Sequence, residues 1–236
     1  MSEQPSLSFC PKIPFTGETS GLVIFDWDGT VCDSEAHIVR AMQNAILEAD
    51  MPSLPDAAVR NIIGLGLLEA VQSLFPSASR AQWETVVEAY SRHYIAQEQN
   101  LPELFPNAMS VLTGLRDSGY KLAVATGKSR RGLNRILDAL DLADFFDATR
   151  TADETRSKPH PQMLRELLSE LNLSASQALM VGDTTYDLDM ATAIDMPCIG
   201  VSYGVHSVDQ LRNSGALAVI DGLDELPALV AACSLA

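Results

Sequence analysis

Leu22-Val-Ile-Phe25 is a short, unbroken run of strand-forming apolar residues that stops abruptly at Asp26. Four more runs of this kind follow, at Lys121–Ala125, Ala178–Val181, Pro197–Val201 and Leu217–Ile220, with a weaker candidate at Phe146–Thr149. A strand that faces water on one side alternates apolar and polar residues. Strands apolar throughout need cover on both faces, which is the condition of a buried parallel sheet. Helical patterns near 107–118, 129–140, 159–171 and 186–194 lie between the runs and supply that cover. The fold class is therefore α/β, with a doubly wound parallel sheet.

The alternation fails once. From about residue 35 to residue 100 the chain reads as helices only, rich in Ala, Leu, Glu and Gln and broken at Pro52, Pro55, Gly64, Gly66 and Pro76. A crossover between parallel strands does not need that length. The stretch is expected to form an all-helical cap subdomain inserted into a core made of residues 17–34 and 101–236, with hinges near 32–35 and 101–106. Residues 1–16 read as an N-terminal extension without the basic start and long apolar run of a signal peptide.

Acidic residues gather at the ends of the apolar runs. Asp26-Trp-Asp28-Gly-Thr30 follows the first, and Asp183-Thr-Thr-Tyr-Asp187 follows the Ala178 run one residue later. Ligands of open parallel sheets bind at the carboxyl ends of strands, so these side chains fall where chemistry is expected. Four carboxylates meeting in one crevice repel by several kcal/mol unless a cation sits among them. Their hard oxygen donors favour Mg²⁺. A lone Asp-x-Asp-Gly is more often a polar turn. A calcium loop would need a preceding helix and a glycine two positions later. Thr126 at the end of the second run and Lys158 ahead of a helical pattern complete a set of four strand-end features in fixed order.

With these residues in place, the chain resembles the haloacid dehalogenase superfamily, in the phosphoglycolate phosphatase-like branch that carries a helical cap after the first strand. The resemblance spans about residues 20–225 and implies a Rossmann-like core. It implies that Asp26 is the nucleophile, Asp28 the general acid and base, and Thr126 with the Gly127 amide the phosphoryl ligands. Lys158 neutralises charge on the phosphoryl group and on Asp26. By the same resemblance, Mg²⁺ would be held by Asp26, Asp183 and the Asp28 main-chain carbonyl, with Asp187 holding a metal-bound water or orienting Lys158. The expected reaction is hydrolysis of a small phosphorylated metabolite through an aspartyl-phosphate, with phosphoglycolate or a comparably small phosphomonoester preferred.

Neighbouring chemistries are separated by single residues. Dehalogenating members lack the second aspartate, which is present here as Asp28. Phosphonate-cleaving members use a cap lysine, and no lysine occurs between Lys12 and Lys121. Sugar phosphomutases carry a histidine in a stretch resembling Asp-Ser-Glu-x-x-His. Here Asp33-Ser-Glu-Ala-His37-Ile38 brings the histidine one position early, about 100° away on a helix. A mutase and a silent phosphate-binding module remain as alternatives, although silent members typically lose the nucleophile or the acid and neither is missing. For substrate recognition the cap offers Gly64 and Gly66, in a segment like the family's specificity loop, and the cations Arg40, Arg60, Arg80 and Arg92. Lys128 and Arg130 read equally well as anion ligands at a helix start or as solvated surface charges. Trp27 is expected to point away from the crevice. His93 and Trp83 read as packing residues of the cap, and His160 as an exposed one.

A net charge of −15 disfavours nucleic-acid partners. No apolar stretch is long enough to span a bilayer. Four dispersed cysteines, Cys10, Cys32, Cys198 and Cys233, suit a reducing compartment. The expectation is a cytoplasmic monomer or homodimer.

Overall fold

The computed structural model describes residues 21–97 and 103–233, so the expected N-terminal extension, the first residues of the expected core segment, the end of the expected cap and the start of the second hinge lie outside the described residues. In chain order the elements are β1 Leu22–Phe25, β2 Cys32–Asp33, α1 Glu35–Glu48, α2 Asp56–Arg60, α3 Leu67–Leu74, α4 Arg80–Ala96 and β3 Glu103–Leu104. They continue as α5 Ala108–Asp117, β4 Lys121–Thr126, α6 Arg130–Ala139, β5 Ala148–Thr151 and α7 Gln162–Leu171. The last are β6 Ala178–Gly182, α8 Thr185–Thr192, β7 Cys198–Val201, α9 Val208–Asn213, β8 Ala218–Ile220 and α10 Leu226–Cys233.

Six strands pair in parallel in the order β5-β4-β1-β6-β7-β8. Alternate side chains of the buried strands enter separate cores, as the period of two requires. Val23 and Phe25 pack with Leu112, Leu133 and Leu226 from α5, α6 and α10. Leu22 and Ile24 pack with Leu164, Leu188 and Leu211 from α7, α8 and α9. The chain winds outward from β1 through β4 to β5, then returns to β6 on the other side. This reversal opens a crevice at the carboxyl end of β1.

The helices between β2 and β3 surround a core of their own, built from Met42, Ile46, Val59, Val71, Phe75 and Val86. Both connections to this cap run through β2 and β3, which pair with each other as a two-stranded antiparallel ribbon (Cys32 with Leu104, Asp33 with Glu103). Among the described residues no helix is long and apolar enough to cross a membrane.

Two elements differ from the sequence expectation. The weak strand lies at Ala148–Thr151, two residues later than the Phe146–Thr149 run, because the Phe146 ring belongs to a turn and packs edge-on against Trp27 at 6.2 Å. The helix expected from residue 159 begins at Gln162, behind a turn that contains Pro159 and Pro161. Proline lacks the amide proton a helix interior needs, so the two prolines hold the segment outside the helix. Lys158 therefore reaches the site from a loop.

Candidate active site

Asp26, Thr126 and Asp183 end, or directly follow, the adjacent strands β1, β4 and β6, and all three are fully buried. The chain leaves β1 through a tight turn in which the Gly29 amide donates to the Cys32 carbonyl at 2.9 Å. Gly29 has φ +84°, and a Cβ there would come within 2.3 Å of an Asp183 oxygen. Only glycine lets this turn press against the second acidic segment. Asp28 thus comes to the same crevice as Asp26, while Trp27 points the other way into the α5/α6 core as expected.

Lys158 Nζ donates to Asp26 Oδ1 and to Asp187 Oδ1, each at 2.6 Å, with all three side chains sealed from solvent. Asp187 is itself fixed by the Thr184 amide and hydroxyl, which donate to its Oδ2 at 3.2 and 2.7 Å. Asp183 accepts from the Thr30 hydroxyl at 3.1 Å and the Val205 amide at 2.9 Å. Carboxylate oxygens of Asp26, Asp183 and Asp187 all lie within 4.8 Å of one another. Asp26 Oδ2 is buried and has no hydrogen-bond partner among the described residues.

Three carboxylates thus face one ammonium in a dry site. Burial raises the Asp26 carboxyl well above its usual range; Lys158 opposes this, and Asp187 and Asp183 add to it. Burial, then the charge of Asp187, pushes Asp183 up to about 7. Desolvation works against the charge on Lys158, but Asp187 and Asp26 override it and hold the ammonium protonated. An orphaned carboxylate oxygen, hard oxygen donors and unbalanced negative charge fit a compact divalent cation such as Mg²⁺. Asp187 borders this cluster while one of its oxygens holds Lys158 and the other is held by Thr184.

The raised Asp183 carboxyl has a measurable consequence. Between its ordinary value of 3.8 and about 7, the folded metal-free protein keeps a proton that the unfolded chain has lost. Stability then falls as pH rises through that window. We expect the melting temperature of the metal-free protein to drop from about pH 5 to about pH 8, and Mg²⁺ to raise it more at the higher pH. Calorimetry of the wild type and of Asp183→Asn checks this. An equal Mg²⁺ shift in both proteins would count against the cluster as the cation site.

Lys128 is the residue whose role the sequence left open, and it is no surface charge. Its side chain is 11% exposed, and Nζ lies 2.9 Å from Asp28 Oδ1 and 3.1 Å from the Tyr94 hydroxyl on α4. Desolvation pulls its pKa down, yet the Asp28 charge together with Tyr94 and Tyr90 more than compensates, and the ammonium is held protonated. Ser34 donates to the same Asp28 oxygen at 2.5 Å. Arg130, by contrast, turns outward to Glu154 and Thr149. The signal for Lys128 was its place directly after Thr126-Gly127 in a chain with four lysines. Nothing local pointed to Ser34 or Tyr94.

The loop at residues 64–66 does approach the core. The Gly66 amide donates to Ser157 Oγ at 2.8 Å, and a Cβ on Gly127 would lie 2.4 Å from the Leu65 carbonyl oxygen. The cap arginines lie elsewhere. Arg60 is exposed and pairs with Glu35 at 2.5 Å, Arg80 pairs with Glu84, Arg92 pairs with Glu48, and Arg40 is exposed. None of them lines the cavity between cap and core, so Arg60 is corrected as a residue that reads substrate. His37 is half-buried on α1, and its neighbour Ile38 lines the cavity in its stead. His160 is half-buried too, with Arg156 as its partner. His93 binds Glu48, and Trp83 donates to the Phe75 carbonyl, both within the cap.

Comparison with known proteins agrees with this geometry. The family model of haloacid dehalogenase-like hydrolases matches residues 23–201. "Probable phosphatase IndB" of Dickeya dadantii (strain 3937) is 37% identical over 211 residues, covering 87% of this chain and 91% of that protein. A phosphoglycolate phosphatase of Rhodospirillum rubrum is 34% identical over 213 residues, covering 86% and 88%. The solved structure of a hydrolase from Pseudomonas syringae matches with TM-score 0.83 at 25% identity, covering 91% of this chain and 100% of that one. A parallel sheet whose central strand ends in a buried, lysine-bound aspartate, together with these matches, leads to one assignment: the chain belongs to the haloacid dehalogenase-like hydrolases, as a phosphatase-like member of that family.

Proposed function

We propose that the protein is a Mg²⁺-dependent phosphomonoester hydrolase that works through an aspartyl-phosphate on Asp26. The observation that carries this reading is the pairing of a buried aspartate, held by Lys158 on one oxygen and unpartnered on the other, with a second aspartate two residues on. Asp26 attacks phosphorus, an Asp26 O–P bond forms, and the bond from phosphorus to the leaving alcohol breaks. Asp28 gives its proton to the departing oxygen, then takes one from the water that attacks the aspartyl-phosphate and releases inorganic phosphate. The Thr126 hydroxyl and the Gly127 amide bind non-bridging oxygens, and Lys158 offsets charge that builds up during transfer. Mg²⁺ held by Asp26, Asp183 and the Asp28 carbonyl, with Asp187 alongside, would supply positive charge to the phosphoryl oxygens.

The helical insert acts as a cap that excludes water from the acyl phosphate. Relatives named phosphoglycolate phosphatase support a phosphorylated metabolite as the substrate class. The buried Cys32 and Cys198, neither of them in a disulfide, support a cytoplasmic setting. Ile38 at the mutase histidine position argues against phosphoryl return to a sugar. Hydrolysis of 4-nitrophenyl phosphate with and without EDTA tests the reading. Metal-dependent release of phosphate is expected, and its complete absence from well-folded protein would reassign the chain as a phosphate-binding module.

A further inference from the structure

The cavity between cap and core is uncharged and mostly apolar on its cap side. It measures about 220 Å³, opens on Asp28 and Lys128, and is walled by Ile38, Met42, Ile62, Ile63, Tyr90 and Tyr94. An apolar cavity of about 150 Å³ already takes a benzene ring. No residue that the cap contributes to this wall carries a charge. The Lys128 ammonium, the cation nearest the acid, is already opposed by the Asp28 carboxylate at 2.9 Å. Arg131 and Arg135 also border the space, from α6 on the core side. Against the cap wall a carboxylate would lose its water to aliphatic and aromatic carbon, and the cations that could offset this, Lys128, Arg131 and Arg135, all lie on the core side. An apolar group there gains from burial.

We propose that the leaving alcohol of the natural substrate has an apolar or aromatic body at least as large as a six-membered ring, seated between α1 and α4 with its ester oxygen at Asp28. This inference rests on the phosphatase reading and narrows it. Tyr90 and Tyr94 stack at 5.7 Å between ring centroids, with the Lys128 ammonium over the Tyr94 ring, and aromatic side chains at the wall suit a planar ring as well as an alkyl chain. The family relatives that act on phosphoglycolate would then differ from this protein in what fills the space beyond the phosphoryl group.

The test compares phosphoglycolate with ethyl, butyl, hexyl and 2-phenylethyl phosphates, whose leaving alcohols are of similar acidity, using the Mg²⁺-loaded enzyme. We expect kcat/KM to rise about fourfold for each added buried methylene, equivalent to about 0.8 kcal/mol. Hexyl and phenylethyl phosphates should exceed phosphoglycolate at least about tenfold. Ala70, in the same wall, offers a place to fill the cavity. Ala70→Leu should lower the phenylethyl-to-ethyl ratio of kcat/KM at least about tenfold, and Ile95→Trp, at the half-exposed border of the cavity, should do the same if the first variant folds poorly. A flat or falling series, or phosphoglycolate as the best substrate, overturns the inference while leaving the phosphatase reading in place. Failure of every ester, with EDTA making no difference, overturns both.

Discussion

Replacing Asp26 with Asn should lower kcat at least about a thousandfold, equivalent to about 4 kcal/mol of lost transition-state stabilisation, and leave the fold intact. The two halves of this expectation have different physical roots. Asn keeps the shape of the side chain but offers no carboxylate, so no acyl phosphate can form and the double-displacement route closes. Stability should hold because the substitution removes a charge from a site that has too many of one sign. Burial and the neighbouring acids already press Asp26 toward its neutral form. Asp187 still engages Lys158 in the variant. Steady-state kinetics together with a melting curve decide the matter. A folded variant that retains more than a few per cent of wild-type turnover would rule out the covalent route.

The second large effect concerns Lys158→Met. Lys158 is the ammonium shared by two fully buried carboxylates, and methionine fills its volume without replacing its charge. Removing one partner from a buried ion pair typically costs about 3–5 kcal/mol, because the remaining charge is stranded. For a chain of this size that corresponds to a fall in melting temperature of about 10 °C. The sign of the pH dependence is fixed. Without Lys158 the buried Asp26 carboxyl loses the ammonium that opposed its rise, and the neighbouring Asp187 and Asp183 push its folded-state pKa higher still. The variant's deficit is then greatest at neutral and alkaline pH and shrinks as the solution becomes acid enough to protonate Asp26. Mg²⁺ should recover part of the loss, since it offers the same acids a different counter-charge. A variant as stable as wild type at pH about 8 without metal would mean that the pair contributes nothing to folding. Phosphoryl transfer should fall steeply in the same variant, because Lys158 is the ammonium bound directly to Asp26.

Much of the site was legible because its parts are fastened to strand ends. Runs such as Leu22–Phe25 and Ala178–Val181 are apolar on both faces, and the first polar residue after each marks where a buried sheet meets its crevice. Asp26 and Asp183 could be placed together on that ground alone, and the structure brings their oxygens within 4.8 Å. What stayed hidden depends on contacts far apart in the chain. Lys128 looks like a solvated charge until Asp28, one hundred residues earlier, and Tyr94, in another subdomain, close around it. The strand Ala148-Thr-Arg-Thr151 sits at the sheet edge and lacks the apolar run that marked the others, so the neighbouring Phe146 drew the sequence reading two residues early. The β2–β3 ribbon is two residues long on each side, too short to leave any periodicity. The cap arginines were chosen for their charge, yet three of them are satisfied by glutamates on the outer surface.

That ribbon governs how the molecule opens. Two connectors hydrogen-bonded to each other cannot flex independently: the strip they form bends readily across its flat face and resists shearing in its own plane. Any lifting of the helical lobe would be expected to bend this strip across its flat face. Such a movement would part the Gly66 amide from Ser157 and the Tyr94 hydroxyl from Lys128, so admitting a guest and loosening the cation beside the acid would go together.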